Sequence, residues 1–115
     1  MGKLTTHVLD TSNGKPGSAI SIRVYKLEDD RCLVASAITN DNGRTEEALL
    51  EDDTFGPGIY EIEFYVGNYF LERDSKTDTP PFLDVVVVRV TLSEDEHYHV
   101  PLLVSPWSYS TYRGS

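Results

Sequence analysis

Apolar and polar residues alternate with a period of two along several short stretches of this chain. Across residues 19–27, Ile20, Ile22 and Val24 fall on one face and polar side chains on the other, which predicts a half-buried strand. Residues 59–66 alternate in the same way. Similar patterns predict strands at 4–10, 32–39, 82–92, 97–104 and 109–112.

Turn signals separate these stretches at regular intervals, including Asn-Gly pairs at 13–14 and 42–43 and two prolines at 80–81. Residues 46–53 suit either a short strand or a helical turn, and the break in alternation over 67–76 predicts a short helix. Seven or eight short strands with one short helix predict an all-β fold, a two-sheet antiparallel β-sandwich that forms a single domain over residues 1–115.

Charge and cysteine content narrow the class of protein. Ten basic against nineteen acidic residues give a formal net charge of −9, which repels phosphate backbones, so we expect no nucleic-acid partner. Cys32 is the single cysteine and fits a reducing compartment. With no signal-like apolar stretch and no apolar run of membrane-spanning length, we expect no membrane partner and a cytoplasmic location. A peroxisomal location is the alternative if a targeting signal lies outside this sequence.

Two histidines that are far apart in the sequence have strand positions that can converge. If the first strand joins the hairpin of the last two, side-chain alternation places one set of residues on a single sheet face: His7, Leu9, His99, Pro101, Leu103, Ser110 and Tyr112. Imidazoles exchange protons near neutral pH, so a half-apolar pocket with two of them is the expected site. His97, beside Asp95 and Glu96, is expected to lie in water.

Zinc and an oxyanion partner are the other chemistries to weigh. His97, His99 and His7 would supply three imidazoles to zinc, but no cysteine or carboxylate stands at metal-like spacing, so no metal is expected. Arg44 follows the turn at 40–43, where a guanidinium can hold a carbonyl or an oxyanion. From composition alone, a solvated arginine at a strand end is the better interpretation of Arg44.

Four stretches together resemble a known family. Residues 4–10 (LTTHVLD), 41–44 (DNGR), 98–103 (YHVPLL) and 108–115 (SYSTYRGS) are similar to the 5-hydroxyisourate hydrolases, the transthyretin-related enzymes of urate breakdown. The resemblance runs from end to end. The ending Tyr-Arg-Gly-Ser separates these hydrolases from transthyretin itself, the hormone carrier with the same fold.

The resemblance implies a transthyretin-like sandwich and a homotetramer, built as a dimer of dimers with active sites in the channel between them. It implies a catalytic set of His7, Arg44, His99 and Ser115, with Tyr112 and Arg113 shaping the substrate site. Pro101, Leu103 and Ser110 join the substrate-binding set from the shared sheet face.

The implied reaction is hydrolysis of 5-hydroxyisourate to 2-oxo-4-hydroxy-4-carboxy-5-ureidoimidazoline, with a histidine-activated water opening a cyclic amide and no metal or organic cofactor. Which histidine is the base stays open. A non-catalytic transthyretin-like carrier of small ligands is the first alternative, followed by an adhesion sandwich and a zinc hydrolase.

Overall fold

The structure, a computed structural model, describes residues 2–73 and 80–114 and confirms the predicted all-β sandwich. The strands and the helix are β1 Lys3–Asp10, β2 Lys15–Pro16, β3 Ser21–Leu27, β4 Arg31–Ile38, β5 Leu50–Glu51, β6 Gly58–Phe64, α1 Val66–Arg73, β7 Val86–Leu92, β8 His97–Val104 and β9 Tyr109–Thr111. The ambiguous acidic stretch forms both predicted structures, because β5 runs directly into a 3₁₀ turn, Asp52–Thr54. No helix in this part of the chain has the length and apolarity for a membrane crossing.

Two sheets form the sandwich. The first has the order β2-β1-β8-β9, with β5 also paired to β1, and the second has the order β4-β3-β6-β7. Strands β1 and β8 pair in parallel, with Lys3 opposite His97 and Asp10 opposite Val104, whereas the other described pairs are antiparallel. A parallel pair needs a long connection, and here almost the whole chain lies between the two strands.

The predicted alternation determines which side chains reach the core. Strand β1 buries every second residue from Leu4 to Asp10 and turns the intervening residues, His7 among them, outward. Ile20, Ile22 and Val24 are buried as expected, and they pack in one hydrophobic cluster drawn from both sheets. The outward side of the β1–β8 sheet, here called the outer face, is therefore the surface on which the histidines lie.

Several predicted boundaries shift by one or more residues. The strand expected from residue 82 begins only at Val86, and the last strand ends at Thr111, one residue earlier than expected. The predicted helix begins at Val66, one residue earlier than expected, and the expected end at 74–76 lies outside the described residues.

Helix α1 is attached to the end of β1 through a buried carboxylate. The hydroxyl of Tyr69 donates to Oδ2 of Asp10 at 2.7 Å, and the hydroxyl of Ser12 donates to Oδ1 at 2.6 Å. Burial acts to raise the pKa of Asp10, but hydrogen bonds from Ser12, Tyr69 and Asn13 outweigh it, and the pKa is lowered. Burial, together with the same bond to Asp10, raises the pKa of Tyr69 to about 12. The carboxylate thus stays ionised in the interior and fixes the strand that carries His7.

Candidate active site

His7 and His99 meet on the outer face because β1 and β8 run in parallel and in register. Thr5 lies opposite His99, and His7 lies opposite Pro101, so the two histidines are diagonal neighbours on adjacent strands. Nδ1 of His7 is 2.8 Å from Nε2 of His99, which is a hydrogen bond. Their rings are close to parallel, with centroids 4.9 Å apart and an angle of 26° between the planes. The structure therefore brings together the two histidines that the sequence predicts to converge.

A hydroxyl extends this contact to the third histidine. Oγ1 of Thr5 lies 2.7 Å from Nδ1 of His99 and 2.7 Å from Nε2 of His97. Together, His97, Thr5, His99 and His7 make a continuous hydrogen-bonded chain of four side chains. His97 is solvent-exposed, as expected, but it is connected to the pair rather than isolated from it. No role for Thr5 was predicted from the sequence, although the alternation that places it on the same face as His7 was the available signal.

Arg44 reaches the same face from the turn that precedes it. Residues 40–43 lie against β1: the amide of Val8 donates to the carbonyl of Gly43 at 2.8 Å, and Arg44 forms an isolated β-bridge with His7. Gly43 has a φ of +74°, and a Cβ there would lie 2.4 Å from the carbonyl oxygen of Val8, so only glycine fits. Backbone geometry thus holds Arg44 beside the histidines, and its side chain is exposed to solvent, as composition alone favoured.

Burial and charge keep the imidazoles neutral. Burial lowers the pKa of His7, and the guanidinium of Arg44 lowers it further. The pKa of His99 is lowered by burial first and then by the charges of His7, Arg44 and His97. Because a neutral imidazole has one free lone pair, a lowered pKa leaves these groups able to accept a proton at neutral pH.

The C-terminal segment, residues 112–114, reaches the back of His99. The amide of Gly114 donates to the carbonyl oxygen of His99 at 2.6 Å, and the two residues form an isolated β-bridge. Ser115, the fourth residue of the predicted catalytic set, lies outside the described residues. Gly114 is therefore hydrogen-bonded directly to a residue of the site.

Sequence comparison identifies the family to which this chain belongs. The profile of the HIUase/Transthyretin family matches residues 4–114. The chain belongs to the HIUase/Transthyretin family. The 5-hydroxyisourate hydrolase of Pseudomonas aeruginosa is 49% identical over 117 residues, covering all of this chain and 93% of that protein. The 5-hydroxyisourate hydrolase of Ralstonia nicotianae is 50% identical over 117 residues and is covered completely, as is this chain.

Solved structures of the HIUase/Transthyretin fold superpose closely. An (S)-allantoin synthase matches with a TM-score of 0.93 and 46% identity, covering 99% of this chain and 44% of that one. The 5-hydroxyisourate hydrolase of Klebsiella pneumoniae gives a TM-score of 0.83 and 27% identity over the full length of both chains. Sea bream transthyretin in complex with thyroxine gives 0.87 and 28%, covering 97% of this chain and 94% of that one. The transthyretin-like sandwich predicted from the sequence is confirmed.

Tyr112 and Arg113 lie side by side at a cavity of this HIUase/Transthyretin chain, and their role in shaping the substrate site stays a prediction. Both line a cavity of about 470 Å³ between the edges of the two sheets, together with residues of β7. The guanidinium of Arg113 lies 4.2 Å from the centre of the Tyr98 ring and pairs with Glu96. Because β9 ends at Thr111, the alternation that would have put Tyr112 beside the imidazoles does not extend to it. Within one chain, these residues position the segment that ends at Gly114.

The remaining predicted residues follow the strand register. Leu103 pairs with Ser110 on β9 and with Leu9 on β1, and Pro101 is buried opposite His7. Their roles towards a substrate stay predictions. Within residues 2–73 and 80–114, no group of three or more His, Cys, Asp or Glu side chains is arranged to hold a metal ion.

Proposed function

We propose that this chain hydrolyses 5-hydroxyisourate to 2-oxo-4-hydroxy-4-carboxy-5-ureidoimidazoline, opening the six-membered ring at an amide bond in urate degradation. The observation that carries the proposal is the convergence of two neutral imidazoles and a guanidinium on one sheet face. Relatives that are about half identical over the full chain bear the name of this hydrolase. A carrier of small ligands has no use for such an arrangement.

The hydrogen bonds indicate which imidazole is the base. His99 uses both ring nitrogens, Nε2 towards His7 and Nδ1 towards Thr5. Among the described residues, Nε2 of His7 has no hydrogen-bond partner, so it is the nitrogen available to a water molecule. We assign Nε2 of His7 as the general base and His99 as the group that sets its tautomer and basicity.

The reaction then proceeds through a tetrahedral intermediate. Water oxygen adds to the ring carbonyl carbon while Nε2 of His7 takes one of its protons. Arg44 offsets the negative charge that develops on the former carbonyl oxygen. The carbon–nitrogen bond breaks as the leaving nitrogen receives a proton from His7, and the product acid ionises. The role expected of Ser115, to orient the water, a histidine or the guanidinium, stays a prediction.

Substitution of each imidazole tests this assignment. Because a positioned base contributes about 10²–10⁴-fold in rate, His7→Asn and His99→Asn should each lose turnover on that scale. The assay follows freshly made 5-hydroxyisourate spectrophotometrically and subtracts the uncatalysed opening. Far-UV circular dichroism confirms that each variant is folded. Near-normal turnover in either variant would remove that histidine from the mechanism.

We also propose a homotetramer, a dimer of dimers, whose channel encloses the site. The support is the open position of the imidazoles on an outward-facing sheet surface, which a second copy would cover. Exposed aromatic side chains suited to such contacts include Phe82, Trp107 and Tyr109. Analytical ultracentrifugation tests the assembly, and a monomer at assay concentration contradicts it.

For location, we propose the cytoplasm, supported by the single, exposed and unbridged Cys32. Imaging of a fluorescent fusion in the source cells tests this location.

A further inference from the structure

We propose that Thr5 and His97 form a proton shuttle that carries the charge from the imidazole pair to solvent during each turnover. The inference rests on the proposed hydrolysis and adds two residues to it. It assigns a function to the branch of the hydrogen-bonded chain that the mechanism above leaves unused. Neither residue needs to touch the substrate.

Proton uptake by His7 would create a second positive charge beside Arg44, and such a shuttle would move that charge away. When Nε2 of His7 takes a proton from water, an imidazolium would form in a half-buried position beside the guanidinium of Arg44. Two cations close together, partly removed from water, disfavour each other. The lowered pKa of both histidines expresses the same conflict. An outlet for the positive charge would therefore accelerate the first proton transfer.

An unbroken series of three hydrogen bonds connects His7 to His97. The distances are 2.8 Å from His7 to His99, 2.7 Å from His99 to Thr5 and 2.7 Å from Thr5 to His97. Along this line, exposure rises from the half-buried pair to the solvent-exposed ring of His97. His97 stands opposite Lys3 in register and next to Glu96, which pairs with Arg113. An exposed imidazole there is in contact with water and exchanges protons with it.

The proton balance closes over one cycle. At the start, Nδ1–H of His7 donates to His99, Nδ1–H of His99 donates to Thr5, and the Thr5 hydroxyl donates to His97. As Nε2 of His7 gains the water proton, each of these three protons moves one step along the chain. His97 becomes the imidazolium, and the pair stays neutral. When Nε2–H of His7 protonates the leaving nitrogen, the three protons return and His97 becomes neutral again.

A purely structural role for Thr5 is the competing explanation. The hydroxyl of Thr5 would then only fix the orientation of the His99 ring, and His97 would bind that hydroxyl without taking part in the reaction. The two explanations differ at His97, because only the shuttle makes turnover depend on an exposed imidazole that is two hydrogen bonds away from the pair. They also differ in chemical rescue, since free imidazole can replace a missing ring at an exposed position.

The experiment compares His97→Ala, Thr5→Val, Thr5→Ser and the double variant His97→Ala/Thr5→Val with wild type, with and without added imidazole. Blanks at each imidazole concentration remove the uncatalysed opening of 5-hydroxyisourate. We expect His97→Ala to lower kcat by about 10-fold, the scale of one hydrogen bond to a charged group, with KM unchanged. Imidazole should restore it. In Thr5→Val, kcat should fall at least as far, and added imidazole should not restore it. In Thr5→Ser, kcat should stay near the wild-type value, and in the double variant it should equal that of Thr5→Val.

Each result decides the matter. A His97→Ala variant with normal kcat overturns the shuttle, even if Thr5→Val is impaired, because that pattern is the structural role. A loss in His97→Ala that imidazole does not relieve, or losses that multiply in the double variant, also overturns it. If wild type itself does not accelerate ring opening over the blank, the proposed function fails first and the shuttle falls with it, which is a distinct outcome.

Discussion

Gly114 provides a direct test of whether the position of the C-terminal segment matters to the imidazoles. A Cβ at this residue would lie 2.8 Å from Cδ2 of His99 and 3.3 Å from both its Cβ and its carbonyl oxygen. Ordinary contacts begin at 3.4 Å, so Gly114→Ala must move either the segment or the ring by roughly 0.6 Å. Gly114 is not among the positive-φ glycines, so the substitution adds no left-handed backbone strain.

The size of the expected effect follows from that displacement. A misplacement of about 1 Å can cost about 10²-fold in rate, so a shift of about 0.6 Å should lower kcat/KM by about 10-fold. The segment is also tied to His99 directly, since the amide of Gly114 donates to the carbonyl oxygen of His99 at 2.6 Å. The fold should survive, because the hydrophobic cluster lies on the other side of the sheet.

Gly56→Ala is the matched control. The nearest atoms to a Cβ at Gly56 lie 3.8 Å and 3.9 Å away, and its φ is also outside the left-handed region. The measurement is kcat/KM for ring opening in both variants, with circular dichroism as the check on folding. Equal kcat/KM in Gly114→Ala and Gly56→Ala would refute the claim that this segment positions His99.

Two further predictions concern charge and stability. Arg44→Gln removes the cation that adds to burial in lowering the pKa of both imidazoles, so both pKa values should rise towards 6.5. The acid limb of the kcat/KM profile should then move to higher pH. The control is Arg23→Gln, which changes an exposed arginine of the second sheet and should leave that limb unchanged. Tyr69→Phe should lower the free energy of unfolding by about 1.5–3 kcal/mol, against less than about 1 kcal/mol for Tyr65→Phe, whose hydroxyl meets Glu63 on the outward side of β6. Because the pKa of Asp10 is lowered in the folded state, the Tyr69→Phe difference should be full at neutral pH and shrink as pH falls through that pKa in urea titrations.

Alternation alone predicts much of the sandwich, because a half-buried strand must place apolar residues at every second position. Strand β8 has the bounds predicted from the sequence, and Ile20, just before β3, is buried together with Ile22 and Val24 within it, as predicted. The period of two also predicts which histidines share a face. To predict the face on which a residue lies, one needs only to know whether its position in the strand is odd or even. The local sequence provides that information.

Pairing direction and the ends of elements are not local, and this is where the sequence is insufficient. Nothing in β1 or β8 alone specifies that they pair in parallel, since the partner is chosen by packing across the whole fold. The link from Thr5 to His97 depends on that register and so was missed. Tyr112 was predicted to share the face of the histidines because the alternation was extended beyond β9. That strand ends at Thr111.

The parallel pairing of β1 with β8 also has a consequence for biosynthesis. His7 and His99 are 92 positions apart, so the imidazole pair exists only when nearly the whole chain is available to fold. Contacts of such long sequence separation form late and slowly. On the proposed mechanism, a nascent or truncated chain that lacks β8 is therefore inactive. The activity of a preparation then measures only the molecules in which β1 and β8 have paired.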